Sequence, residues 1–353
     1  MERISILGIA AIAMAAFSCS GSKGESRSFE SSSIGKITCD SIAIEQILQP
    51  VKWTLVDGKA IIFSPKSDNV FYIYRLPDFK YLYSFGSKGE GPEDFRYPEF
   101  LADPGKGRMV VSDKRHILTV ALKEKGPGEV DHLKTREHLY QPKMIVNDSI
   151  VVGYDGYLTE EKRINNYYYT TNVNLAQGGE IIDSVAVVVY NKELIVRETK
   201  NGLYASGRLL NVPILAPLKD GFVAAYPDIC NMDFYKVSPQ GKITYVRTVG
   251  QRISQQEINA LDLSKREVGK EIAQVQAGKK YLYVFVNDYR LTPEWRKLLN
   301  SYMEVYDLKG NRVKKFDLGR PFTRFLIDEA RGKIYCYHSG YDFENVYIYD
   351  YSL

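Results

Sequence analysis

Six stretches of this chain share one plan: an apolar run, a pair rich in Asx or Gly, and a second apolar run. FLADPGKGRM (Phe100–Met109) and FLIDEARGKI (Phe325–Ile334) match most closely, with Phe, Leu, Asp and Gly at equal offsets. LVDGKAIIF, MIVNDSIVV, PLKDGFVAA and VQAGKKYLYVFV repeat the plan around Asp57-Gly58, Asn147-Asp148, Asp220-Gly221 and Gly278-Lys279. Asx and Gly supply the positive φ that a tight hairpin requires. A third apolar segment follows each hairpin: NVFYIYRL, ILTVAL, NYYYTTNV, DFYKVS, MEVYDL and NVYIYDY. Turns such as LPDF, AQGG, SPQG and LKGN then lead to a fourth. Four-strand units recurring every 45–70 residues or so predict an all-β, six-bladed β-propeller with four-stranded blades. The last unit ends at NVYIYDYSL without a fourth strand, so IGKITCDSIAI (Ile34–Ile44) is expected to close the ring. A β-sandwich is the competing fold, and six regularly placed turns argue against it.

Composition agrees with β-structure. The chain of 353 residues holds 27 Tyr, a residue that suits a pleated, half-buried surface. Its 47 basic and 43 acidic residues are balanced and dispersed, so no nucleic-acid partner is expected. Ile4–Phe17 is an uncharged apolar run of signal-peptide length, too short to span a bilayer comfortably. The following AFSC resembles a bacterial lipobox, which implies that Cys19 is lipidated. The expected organisation is a signal peptide over 1–18, a lipidated flexible tether over 19–35 and the propeller over 36–353. An acyl anchor of this kind would hold the protein to a membrane of the cell envelope. Cys39, Cys230 and Cys336 form no CxxC pair, so zinc is not indicated, and whether any two of them join is open.

The glycine-rich FGSKGEGPEDF (Phe85–Phe95) falls between the fourth strand of the first unit, KYLYSF, and the first strand of the second, PEFLAD. A phosphate-binding P-loop requires GxxxxGK[ST] opening a helix; here Pro92 and the acids Glu90, Glu93 and Asp94 occupy that region. The stretch therefore reads as an inter-blade turn. With its flanks it spans FGSKGEGPEDFRYPEFLADPGKGRMVVSD (Phe85–Asp113), which resembles the NHL-type repeat. It resembles more closely the TolB-like six-bladed propeller lipoproteins of Bacteroidetes, which carry G-x-G-P-x-x-F here. The resemblance implies a propeller in the cell envelope and little about function.

In a propeller, the connections between blades and those from second to third strand share one face. The long insertions fall almost wholly there: Tyr154–Asn166, Tyr226–Asp233, Gly250–Gly269 and Asn287–Tyr302. Ser254 and Glu257 form a capping box for a helix in the third of these. Thr292-Pro293 would start another through Trp295 and Leu298. An acid recurs at second-strand ends: Asp113, Asp155, Asp228, Asp288 and Asp342. These carboxylates form either a ring that binds a cation or hydrogen-bonds a ligand, or local Asx turns. Arg115, His116, Tyr154, Tyr226, Arg290, His338 and Tyr341 belong to the same face and complete the candidate ligand-binding set.

The sequence has no GxSxG elbow, no HExxH and no sialidase Asp-box, so no catalytic residue is assigned. The expected function is a non-catalytic binding module of the cell envelope for a peptide, glycan or partner protein. The alternative is a calcium-dependent, lactonase-type hydrolase with Ca²⁺ held by Asp113, Asp155, Asp228 and Asp288.

Overall fold

The computed structural model describes residues 34–353 apart from 36–37, 45–49, 90, 92–93, 96–97, 102–106, 114–115, 135–141, 148–149, 159–163, 173–180, 188–194, 200–201, 207–211, 261–267, 292–295, 341 and 343. Cys19, Arg115, Tyr341 and Trp295 lie outside the described residues, as does the signal segment.

Blade 1 is Lys52–Val56, Lys59–Phe63, Asn69–Arg75 and Lys80–Ser87, each strand antiparallel to the next. Blade 2 is Glu99–Leu101, Arg108–Asp113, His116–Leu122 and Pro127–Lys134. Blade 3 is Pro142–Ile145, Ile150–Leu158, Ile164–Asn172 and Ile181–Val187, and blade 4 is Ile214–Leu218, Gly221–Tyr226, Asn231–Val237 and Ile243–Val249. Blade 5 has the longest strands, Val268–Ala277, Tyr281–Leu291 and Arg296–Asp307, followed by Arg312–Asp317. Blade 6 takes Arg324–Asp328, Lys333–Tyr337 and Asn345–Asp350 from the end of the chain and Thr38–Ala43 from its beginning. The result is a six-bladed β-propeller, closed by an N-terminal strand that pairs antiparallel from Thr38↔Asp350 to Ala43↔Asn345.

All six predicted hairpins form blade openings, and the six third strands fall where expected. Ile34 and Gly35, where the expected tether and the expected closing segment overlap, pair parallel with Lys315 and Phe316 of blade 5. The first pass of the chain is thereby stitched to two neighbouring blades.

Apolar side chains meet between blades in six clusters, one per seam. One joins blades 6 and 1 through Trp53, Tyr74, Tyr335 and Val346, and another joins blades 5 and 6 through Phe285, Phe325, Ile334 and Tyr349. In the latter, Phe285 and Phe325 stack with centroids 4.0 Å apart. The abundant tyrosines bury their rings in these seams and hand their hydroxyls to a partner. Tyr335 donates to the Pro77 carbonyl at 3.2 Å, Tyr349 to the Leu318 carbonyl at 2.7 Å, and Tyr168 to the Tyr226 hydroxyl at 2.9 Å across blades 3 and 4.

The glycine-rich stretch is an inter-blade turn, as its composition predicts. Gly86 has φ +81°, and a Cβ there would come within 3.0 Å of the Phe71 and Phe95 rings. Phe95 packs edge-on against Phe71 at 4.8 Å, its amide donates to the Ser87 carbonyl, and the Gly91 amide donates to the Asp94 carboxylate at 2.9 Å. Asp94 thus serves the turn itself, a role opposite to cradling phosphate.

Candidate functional site

The two faces of the ring differ. On one, the described connections are short turns: Asp57-Gly58, Lys219-Asp220, Leu76–Phe79 and Leu308–Asn311. The other carries the elaborations. Helix Gln255–Ala260 lies between blades 4 and 5 and is capped reciprocally: Ser254 N–H donates to the Glu257 carboxylate at 2.7 Å, and Glu257 N–H to Ser254 Oγ at 3.2 Å. An additional hairpin, Ile195–Thr199 with Gly202–Ser206, fills the connection from blade 3 to blade 4.

Three expected insertions differ from their sequence reading. Tyr154–Asn166 is mostly paired strand, with Asp155 opposite Tyr167 and Leu158 opposite Ile164. Asn287–Tyr302 likewise continues the ladder, Tyr289 opposite Leu298 and Leu291 opposite Arg296, so no helix runs through Leu298. A few residues at helical spacing cannot offset the cost of nucleating a helix where cross-strand bonds are on offer. Tyr226–Asp233 is a tight turn over Pro227–Cys230, with Tyr226 paired to Asn231.

The candidate ligand residues divide. Tyr154 and Tyr226 are core residues, 6% and 3% exposed, packed in the seam between blades 3 and 4. Burial raises the pKa of Tyr226 far above the ordinary phenol range. Asp342, at φ +51°, accepts hydrogen bonds from the Tyr347 hydroxyl and from Asn345 Nδ2, and these two donors hold its pKa below the usual carboxylate range. It serves its own turn. Asp113 ends its strand buried, Asp228 is half-buried in its turn, and Asp288 is half-buried on blade 5 beside the exposed Arg290. His116 and Asp155 are placed by strand pairing at the same ends, opposite Asp113 and Tyr167 respectively. Among the described residues, no three His, Cys, Asp or Glu side chains are placed to hold a metal ion; of the proposed calcium set, the Asp155 side chain lies outside the described residues. Among the described residues, none of Cys39, Cys230 and Cys336 forms a disulfide.

His338 is 8% exposed, and its Nδ1 accepts the Gly340 N–H at 2.9 Å. Burial lowers its pKa below the usual imidazole value, about 6.5. As pH falls through that value the unfolded chain takes up a proton that the folded site refuses, so folding stability drops until the buried ring itself protonates. We expect a melting temperature that declines between pH 7 and pH 5, with a shallower decline in His338→Gln. Identical pH profiles for the two proteins would contradict this.

The channel mouth adds residues that loop-based reasoning passed over. Each first strand begins on the elaborated face, and four carry a charge at their first or second residue: Lys52, Glu99, Lys143 and Arg324. Lys52 donates to the Pro98 carbonyl at 2.8 Å and pairs with Glu99 at 2.6 Å, tying blade 1 to blade 2. Burial holds the half-buried Lys143 below the ordinary lysine pKa; the Glu99 carboxylate opposes that shift and the Lys52 ammonium adds to it. Arg324 donates to the Val51 and Thr323 carbonyls at 2.5 and 2.6 Å. A signal for these positions exists in the repeat: a proline precedes each by one to three residues, in PVK, PE, PK and PFTR.

No family model and no curated protein matches the chain. A crystal structure of a Bacteroides fragilis NCTC 9343 protein described as exported is similar at 10% identity and TM-score 0.46, covering 90% of this chain and 95% of that one. Raptor from Chaetomium thermophilum is similar at 12% identity and TM-score 0.42, with 89% of this chain on 28% of that one. A Lactobacillus plantarum protein follows at 10% identity and TM-score 0.40, covering 83% of this chain and 78% of that one.

Proposed function

We propose that this protein is a non-catalytic binding module of the cell envelope. It is tethered through a lipidated Cys19 and engages a peptide, glycan or partner protein on its elaborated face. The supporting observation is the asymmetry between faces. The helix Gln255–Ala260 and the extra hairpin Ile195–Thr199 with Gly202–Ser206 fall in connections between blades, and the lengthened strands of blades 3 and 5 carry their second-to-third hairpins further out on the same side. Connections elaborated on one side of a rigid scaffold are where binding residues concentrate. Asp113, His116, Asp155, Asp228, Asp288, Arg290 and His338, with Arg115 and Tyr341, supply polar contacts on that face.

The test uses soluble protein beginning at Ser20. A ligand that binds only the folded state raises the melting temperature with occupancy. The reading predicts a profile indifferent to Ca²⁺ and EDTA, with a rise for at least one member of a glycan and peptide panel. A rise with Ca²⁺ that EDTA abolishes would contradict it and revive the hydrolase. Replacing Cys19 with Ala is expected to release the protein from membranes, and retention there would overturn the anchor.

A further inference from the structure

We propose that the short-turn face of the ring, opposite the elaborated one, rests on the anionic headgroups of the membrane that holds the lipidated Cys19. This depends on the anchored reading above and adds to it the orientation of the propeller. Chain direction and surface charge point the same way, and they meet at blade 5. Ile34 and Gly35 run parallel to Lys315 and Phe316, in a strand that follows the short turn Leu308–Asn311. Thr38 then starts opposite Asp350, at the short-turn end of blade 6. Both segments run away from the short-turn face, so the chain enters the ring from that side.

Blades 4 and 5 present four turns there, Lys219-Asp220, Ser238–Lys242, Gly278–Lys280 and Asp307–Asn311, all within the described residues. These turns carry five exposed lysines: Lys219, Lys242, Lys279, Lys280 and Lys309. Three carboxylates lie in these turns or touch them. Asp307 accepts the Lys309 and Asn311 backbone N–H groups at 2.9 and 2.8 Å. Glu329 of blade 6 accepts those of Lys279 and Tyr281 at 2.6 and 3.0 Å. Asp220 is exposed. Positive charge exceeds negative even with every one of these acids counted. Blades 1 and 6 differ, since there Arg75 pairs with Asp78, Arg331 with Asp328 and Lys333 with Asp350, each at 2.6 Å. The excess therefore lies under the blades where the chain enters. A negatively charged lipid surface attracts each lysine held close to it, and an acyl chain with a basic patch is a pair of signals that gives stable attachment. The elaborated face is then turned away from the lipid, toward its ligands.

Soluble protein beginning at Ser20 is sedimented with vesicles of phosphatidylcholine alone and with vesicles that also contain phosphatidylglycerol. The proposal expects binding to the anionic vesicles only, reversed by added salt as the charges are screened. The triple variant Lys242→Gln, Lys279→Gln and Lys280→Gln should weaken that binding about 10-fold or more. A control triple, Lys66→Gln, Lys88→Gln and Lys297→Gln, has the same net charge but is altered on the elaborated face, and should bind as the parent does. All six lysines are exposed, so both variants are expected to keep the parent's melting temperature. Equal loss in the two triples would reduce the effect to net charge and overturn the assignment of the face. Binding to both kinds of vesicle alike, or to neither, would overturn the headgroup assignment. Self-association through these lysines without vesicle binding would give the face to a second copy of the chain and overturn it as well. The soluble protein has no anchor, so each of these failures leaves the Cys19 reading standing. That reading is decided by Cys19→Ala in the full chain, washed in salt that detaches the lysine patch.

Discussion

A chain shortened to begin at Pro50 is expected to melt at least ~10 °C below the full propeller, or not to fold at all. The shortening removes Thr38–Ala43 and with it the outer strand of blade 6. It removes Ile44, 5% exposed in the seam with Trp53 and Val346, and Ile42, which packs against the same seam. Burying two such side chains contributes about 1.5–3 kcal/mol each. It also removes Ile34 and Gly35 from the edge of blade 5 and leaves Asn345–Asp350 as an unpaired edge carrying Tyr347 and Tyr349. A naked edge of this kind invites pairing with other chains, so aggregation is expected with the loss of stability. A peptide of residues 34–44 added in trans should restore part of the melting temperature by strand addition, in proportion to its concentration. An unchanged melting temperature in the shortened chain would show that the ring does not depend on its closing strand.

The double substitution Gln274→Ala with Gln276→Ala is expected to destabilise the protein by about 4 kcal/mol or more, at about 1–3 kcal/mol for each buried group left unpaired. The innermost strand of any blade has one edge that its own sheet does not satisfy. In blade 6 two glutamine side chains from blade 5 satisfy it. Gln274 donates to the Phe325 carbonyl at 2.8 Å and accepts the Phe325 N–H at 3.2 Å; Gln276 does the same for Ile327 at 2.9 and 3.0 Å. A primary amide has the donor and acceptor of a peptide group, so each glutamine acts as one residue of a missing strand. Phe325 and Ile327 are fully buried, which makes the stranded backbone groups expensive. Gln274→Glu and Gln276→Glu keep the acceptor and lose the donor, and should fall between wild type and the alanine pair. Denaturant melts of the series measure this order, and a near-neutral double alanine would show that water fills the seam.

The fold was legible because its signal is local and repeated. Asp57-Gly58, Asp220-Gly221 and the FLxD pairs mark hairpins without reference to anything distant, and the missing last strand pointed back to Ile34–Ile44. The hairpin Ile195–Thr199 with Gly202–Ser206 carries the same kind of signal, Asn201-Gly202, and went unread because it falls outside the four-strand count. The site was less legible. Tyr154 and Tyr226 sit beside loop acids in sequence, but alternation along their strands turns them into a seam. Lys52, Glu99, Lys143 and Arg324 are scattered over nearly the whole chain, and only ring closure brings them to one mouth. The Gln274–Phe325 and Gln276–Ile327 contacts have no sequence signature, since their partners are backbone groups.

If ligands engage the elaborated face, hydrogen exchange measured with and without the strongest binder of the glycan and peptide panel will register it there. Slowed exchange is expected at Pro227–Cys230, in helix Gln255–Ala260 and at the starts of the first strands around Lys52, Glu99 and Lys143. No change is expected at the opposite turns, Asp57-Gly58, Lys219-Asp220 and Gly278–Lys280. Protection confined to those opposite turns would contradict the claim.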